Sequence, residues 1–400
     1  MSEPHSRTRP YPFSPPDRLV LDPFLNDLRE REPVSRISLP YGGESWLVTC
    51  YRDAQTVLSD RRFSRAAATG PDIPRMTPEP GGAASILMTD PPEHTRLRRL
   101  VARAFSTRQV QRMRPRVAAL ADGLLTAMAD RGSPCDLVEE FALPLPVAVI
   151  CELLGVPYTD RIRFRGWVHA VMSTTAYTPE QVREALDEFS DYVAELVEQR
   201  RATPTDDLLG SLVRARDEDL LLSEEELLTF IGVLLVGGHE NTANQIANFS
   251  YTLLTQPELL VRLRERPDLL PVAVEELLRC LVIGAGVTFA RICTEDVELG
   301  GVRMKRGDAV MVSLATANRD PVVFPDPDRL DLARVRNPHL VFGTGIHHCL
   351  GAALARMELQ VAIGALILRF PALRLAVPSD AVPWKSGLIV RGPAALPVAW

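Results

Sequence analysis

The stretch Phe342-Gly343-Thr344-Gly345-Ile346-His347-His348-Cys349-Leu350-Gly351 decides how this chain is read. Its glycines allow the backbone to turn tightly, and a helix-forming run, Ala352 to Leu368, follows at once. Cys349 therefore stands at the mouth of a helix. Free backbone amides and the helix dipole favour an anion there, so the sulfur is expected as a thiolate. A buried structural cysteine is the ordinary alternative for an isolated Cys. Zinc binding by His347, His348 and Cys349 is disfavoured, because consecutive residues rarely converge on one tetrahedral ion. A phosphate-cradling loop would carry Lys-Ser/Thr after its last glycine, where Ala352-Ala353 stands instead.

Working outward, the chain has 400 residues, 46% of them hydrophobic, enough for a large buried core. A formal net charge of −6 argues against a dedicated binder of nucleic acid or of anionic membranes. Arginine supplies almost all the basic character, since Lys305 and Lys385 are the only lysines. The opening segment, Met1 to Pro16, lacks the apolar run of a signal peptide or anchor, and no later run reaches about eighteen apolar residues. A soluble, cytoplasmic protein is expected. Six cysteines (Cys50, Cys135, Cys151, Cys280, Cys293 and Cys349) are scattered without C-x-x-C spacing, so no disulfide framework is indicated.

Hydrophobic periodicity predicts a mostly helical chain. An opening helix is expected at about 16–30, then helices near 92–105, 108–131, 141–154, 160–173, 180–201, 223–255, 267–280 and 351–369. Short strands are expected at 36–39 and 45–49, paired as a hairpin, and near 296–299, 309–313 and 388–390. A Pro- and Gly-rich loop spans about 66–89, and a proline-punctuated meander runs from Asn318 to Leu340. The fold class is mainly α with small β-sheets, and residues 1–400 are expected to form a single domain without a linker.

Every fixed position of F-G-x-G-x-H-x-C-x-G is present in the cysteine stretch, which resembles the haem-binding signature of the cytochrome P450 monooxygenases, closest to the soluble bacterial class. The resemblance implies haem b (iron protoporphyrin IX), seated between a long central helix and the cysteine-loop helix, with Cys349 as iron ligand. A thiolate pushes electron density to favour O–O cleavage. Phe342, Gly343, His347 and Gly351 come with the same signature. Glu276-Leu277-Leu278-Arg279 matches the family's E-x-x-R, in which the i, i+3 pair locks the meander. Asn318-Arg319-Asp320-Pro321 and Phe324-Pro325-Asp326-Pro327 look like that meander. The resemblance also implies that His94 and Arg98, at i, i+4 on one helix, meet the haem propionates together with Arg291 and His347.

The 223–255 helix opens with a capping-box pattern, Ser223 to Glu226, and carries Gly237-Gly238-His239-Glu240-Asn241-Thr242. This is similar to the family's oxygen-activating motif. Gly238 is expected to let the backbone open beside the oxygen site, and Glu240 to feed protons toward it. Where the family usually has threonine, this chain has Asn241, which can hydrogen-bond but cannot relay a proton as a hydroxyl does. Thr242 lies nearby, about 100° round the helix. Two chemistries follow: hydroxylation or epoxidation through a rearranged water network, or oxidative coupling that tolerates altered proton delivery. By similarity the substrate pocket draws on Ile86, Leu87, Leu234, Leu235, Val287, Thr288, Phe289, Leu388 and Ile389, with Met172 to Pro179 as part of a mobile lid. Such an apolar chamber suits a polyketide, macrolide, terpenoid or peptide-derived small molecule. Electrons are expected from a ferredoxin and its reductase, docked by some of Arg96, Arg99 and Arg103, to a monomeric protein. A non-catalytic haem sensor and a cofactor-free helical scaffold are the readings from other classes.

Overall fold

The computed structural model describes residues 7–400 apart from 81, 83, 220, 282 and 285, and without the side chains of 161, 162 and 164. A helical body surrounds one long helix, Glu224–Thr255, whose N-terminus is closed by the reciprocal Ser223/Glu226 capping box. From Leu227 to Leu253 this helix buries residues on nearly every side, as a helix at the centre of a large core must. Helix Pro144–Leu154 lies along it, and the cysteine-loop helix, Ala352–Arg369, packs on both it and Thr107–Arg131. Helices Arg161–Val171 and Pro179–Ala202 pair as a hairpin above. Thr178 and Gln181 form a second capping box at the start of the latter, with Pro179 at its first position.

The β structure gathers at one side. A six-stranded sheet has the order Arg9–Pro10, Val34–Ser38, Glu44–Val48, Ala309–Val312, Arg291–Cys293, Phe63–Ser64. The expected hairpin pairs Val34 with Val48 and Ser38 with Glu44. At the far edge Phe63 pairs with Cys293 and Ser64 with Ile292, which brings the start of the 66–89 loop beside Arg291.

Several expectations shift. The opening helix is only Pro23–Arg31, because Asp22 accepts the Phe24 amide and Pro23 fixes the first turn. Short helices at Tyr51–Ser59, Leu208–Asp217 and Pro257–Glu265 were not anticipated. The first has no side-chain cap to announce it and gains its place by burying Ala54, Val57 and Leu58. The stretch 388–390 is no strand. Leu388 and Val390 make isolated bridges to Ser173 and Gly284.

Candidate functional site

The cysteine loop is held from several directions. Gly343 and Gly345 adopt φ of +68° and +73°, where a side chain would be strained, and a Cβ on Gly345 would lie 2.8 Å from the Leu58 carbonyl oxygen. The Cys349 amide donates to the Phe342 carbonyl at 2.8 Å. Arg98 donates to the carbonyls of Ile346 (3.2 Å) and His348 (2.8 Å), so it braces the loop directly. Behind the loop, the Arg356 guanidinium lies 4.4 Å from the Phe342 ring centre and forks onto Glu275 at 2.8 and 2.9 Å. Burial raises the Cys349 thiol pKa, outweighing the Gly351 amide, Arg98 and Arg356, which lower it. A bound cation would favour the thiolate.

Beside the loop sits a buried cationic cluster. The His94 and His347 rings lie against each other, centres 4.4 Å apart and planes tilted by 60°. Arg291 is buried, and its Nη1 donates to the Phe63 carbonyl at 3.3 Å. Arg65, which the sequence did not single out, is equally buried. Its guanidinium reaches the carbonyls of Leu87 (2.8 Å) and Ala290 (3.5 Å) and Met88 Sδ (3.2 Å), while its backbone amide donates to Asp90 Oδ1 at 3.1 Å. Among the described residues no carboxylate comes within ion-pair distance of either arginine, and His347 Nε2 is buried without a hydrogen-bond partner. Burial pushes Arg65 down to about 9, with Arg291 adding to the fall, and Arg291 down to about 10. Burial, then Arg65, His94 and Arg291, takes His347 to about 3, so its ring is neutral. Asp90 is the acid nearest this group, 3.9 Å from His347. The cluster is short of negative charge.

On the long helix, Gly237 and Asn241 are exposed in the middle of an otherwise buried element, one turn apart on one face. Gly238 points elsewhere, contrary to expectation. A Cβ there would meet Ile150 Cδ1 at 2.5 Å, so this glycine admits the neighbouring helix, and the long helix stays α-helical throughout. Leu234 stands seven residues before Asn241 on the same face and Leu235 about 100° round, and both are buried in the core. Thr242 is buried.

Glu240 is 1% exposed and fully engaged. Lys385 Nζ lies 2.8 Å from its Oε1, Asn244 Nδ2 donates to the same oxygen at 2.8 Å, and His169 Nε2 is 3.8 Å away. Burial alone would raise the Glu240 pKa, but Lys385 reverses the sign, helped by His239 and His169, and it falls to about 2. A small cleft lined by Arg165, His169, Asn244 and Lys385 opens beside this group. Sequence reasoning found Glu240 and missed its partners. The one available signal was that Lys385 is among only two lysines.

Of the remaining pocket candidates, Phe289 is 57% and Leu87 41% exposed, while Ile86 is buried in the core. Val287, Thr288, Leu388 and Ile389 are half-buried. The expected lid segment is pinned at its start. The amides of Thr174, Thr175 and Ala176 all donate to the Gly387 carbonyl, at 2.7, 3.1 and 3.1 Å, and Ile389 donates to Met172 at 2.8 Å. The thiol of Cys349, itself exposed yet enclosed by the loop, completes an outline of uncovered side chains on buried elements.

Such an outline is what a large, flat, mostly apolar group with an anionic edge would fill. A cytochrome P450 family model matches residues 25–391. This chain belongs to the cytochrome P450 family. The P450 is 53% identical over 395 residues to the nocardicin C N-oxygenase of Nocardia uniformis subsp. tsuyamanensis, covering 98% of this chain and 99% of that one. It is 49% identical to the mycinamicin IV hydroxylase/epoxidase of Micromonospora griseorubida, covering 98% of each. The crystal structure of HinD with NMFT and NO is 52% identical, with a TM-score of 0.96 over 98% of this chain and all of that one. The cofactor of this P450 is haem, and the residues present suit it. Two propionates would supply the charge the Arg65–Arg291–His347 cluster lacks, and Cys349 offers the sulfur. Family membership makes the chain an enzyme, a haem monooxygenase, which removes the sensor and scaffold readings. No helix among the described residues is long and apolar enough to cross a membrane.

Proposed function

We propose that this P450 inserts oxygen into a bulky, largely apolar bacterial secondary metabolite, by hydroxylation or epoxidation, with electrons from a ferredoxin and its reductase. The named relatives, an N-oxygenase and a hydroxylase/epoxidase, favour oxygen insertion over oxidative coupling. The observation that carries the reading is the cysteine loop, whose Cys349 side chain is exposed, as are Phe289, Leu87 and Asn241, the residues assigned to the chamber wall.

Haem, when bound, supplies the redox-active iron that activates dioxygen. The chain's residues do the rest. Cys349 Sγ would hold the iron, and the loop clamped by Arg98 and Arg356 fixes its position. Phe289, Leu87 and Leu234 exclude water and receive the apolar substrate. Glu240, kept anionic by Lys385, marks the entry beside His169 and orders the water that carries protons toward the chamber. His169, lowered by burial, is neutral at pH 7 and competent to exchange protons on that path. The Asn241 amide orders water or a substrate hydroxyl on the exposed helix face. Arg99 on helix Glu93–Ala102 and Arg103 just past its end are exposed cations suited to an acidic ferredoxin. The enzyme works in the cytoplasm as a monomeric single domain.

The test is optical. Reduced wild-type protein under carbon monoxide gives the red-shifted band of thiolate ligation, and Cys349→His moves it to the shorter wavelength of imidazole ligation. A wild-type band at the imidazole position, or a colourless protein after haem supply, ends the proposal.

A further inference from the structure

Arg65 combines features that no other residue of the site shares. The strand pairing Phe63 with Cys293 and Ser64 with Ile292, continued by one residue, sets Arg65 against Arg291. Like charges directly opposite on neighbouring strands are destabilising, more so when buried. Arg65 is only 5% exposed, and Asp90, which accepts its backbone amide and attracts both arginines, makes no ion pair with either guanidinium among the described residues. On its other side the guanidinium sits over the Phe289 ring, 4.7 Å from its centre, and its Nε holds the Leu87 carbonyl. Phe289 and Leu87, both exposed, are the side chains that the functional reading assigns to the substrate wall. One cation therefore touches both the charge-deficient edge and the substrate-facing wall.

We propose that Arg65 is a positioning residue that holds a haem propionate jointly with Arg291 while serving as the platform for Phe289 and Leu87. This inference rests on the haem-protein reading above. In it, the carboxylate resolves the Arg65–Arg291 repulsion, and its arrival fixes the guanidinium plane on which Phe289 lies. Haem electrostatics and the shape of the chamber wall are thereby coupled through one side chain. The charge and the planar stack are separable functions. Lysine keeps the first and loses most of the second, because an ammonium is a point charge without a flat face or a fork.

The test uses haem-loaded wild type, Arg65→Gln, Arg65→Lys and Phe289→Leu, with 4-phenylimidazole as the chamber probe. Three quantities are read: transfer of haem to apomyoglobin, the haem midpoint potential, and probe affinity from its spectral shift. Arg65→Gln is expected to lose haem about tenfold faster, the equivalent of about one charge-assisted hydrogen bond. Its potential shifts negative, since a cation that stabilised the reduced state is gone, and it binds the probe about fivefold more weakly. Arg65→Lys restores the potential but not the probe affinity. Phe289→Leu weakens the probe and leaves haem transfer unchanged. Wild-type haem transfer and potential in Arg65→Gln would overturn the assignment, as would a potential in Arg65→Lys equal to that of Arg65→Gln. A substrate carboxylate is the other possible source of the anion. Selective tightening of 4-(imidazol-1-yl)benzoate over 4-phenylimidazole in wild type, lost in Arg65→Gln with haem transfer unchanged, would also overturn the haem assignment. If Arg65→Gln does not fold, the Arg65→Lys and Phe289→Leu comparison still decides. Failure of wild type to bind haem at all would strike the functional reading, a result distinct from each of these.

Discussion

Lys385 and Glu240 form a buried ion pair, 2.8 Å from Nζ to Oε1, across 145 positions of sequence. The cation comes from the C-terminal segment and the acid from the middle of the long helix. Removing one partner of such a pair strands the other in low dielectric, which costs about 3–5 kcal/mol. Lys385→Met is therefore expected to lower unfolding stability by that order at pH 7, measured by urea denaturation. Because the pair depresses the Glu240 pKa from 4.5 to about 2, its contribution is fully present above pH 4.5 and is lost as pH falls toward 2. The gap between wild type and variant should narrow over that interval. A gap that widens on acidification would contradict the pairing.

Glu276 and Arg279 make a second pair, with both side chains 0% exposed. Arg279 donates to the carbonyls of Asn318 (2.9 Å) and Pro327 (2.7 Å), while Glu276 accepts from Arg334 (3.1 Å), Asn337 (3.0 Å) and the Asp331 amide (3.0 Å). The pair thus closes the meander onto the helix Leu270–Cys280. Glu276→Ala and Arg279→Ala should each cost about 3–5 kcal/mol. The double variant should cost well under their sum, because the second change strands nothing further. Haem content and denaturation midpoints of the purified variants measure this, and full additivity would show that the two side chains act separately.

Asn241 occupies the exposed face of the long helix, one turn past Gly237. If its amide orders the water that carries protons, Asn241→Ala should divert reducing equivalents to hydrogen peroxide. The ratio of product to peroxide is expected to fall about tenfold or more, within the usual range for a positioned proton-transfer group. Asn241→Thr should keep the ratio near wild type by supplying a hydroxyl. An unchanged ratio in Asn241→Ala would assign proton delivery to other groups.

Glu358 lies on the cysteine-loop helix, 1% exposed, and neither carboxyl oxygen has a hydrogen-bond partner among the described residues. Burial raises its pKa well above 4.5. The folded state favours the protonated acid, so its contribution is fully present below pH 4.5 and is lost as pH rises toward the folded value. Glu358→Gln, neutral at every pH, should gain on wild type by about 1.4 kcal/mol per pH unit above 4.5 until that value is reached. Parallel stability curves from pH 5 to 8 would show that Glu358 is ionised in the fold.

The sequence by itself determined what local spacing can specify. Two glycines, a cysteine and the start of a helix within ten residues define the cysteine loop, since its turns are set by its own backbone. The capping box at Ser223 and Glu226, and the i, i+3 relation of Glu276 and Arg279, were readable for the same reason. Gly238 was misread because a mid-helix glycine looks alike whether it faces a cofactor or a neighbouring helix, and only Ile150 tells them apart. Lys385 on Glu240 and Arg65 opposite Arg291 were decided by tertiary structure alone. Their pairing depends on chain crossings that no periodicity records, and burial turns an unremarkable lysine or arginine into the strongest local charge once the fold has closed around it.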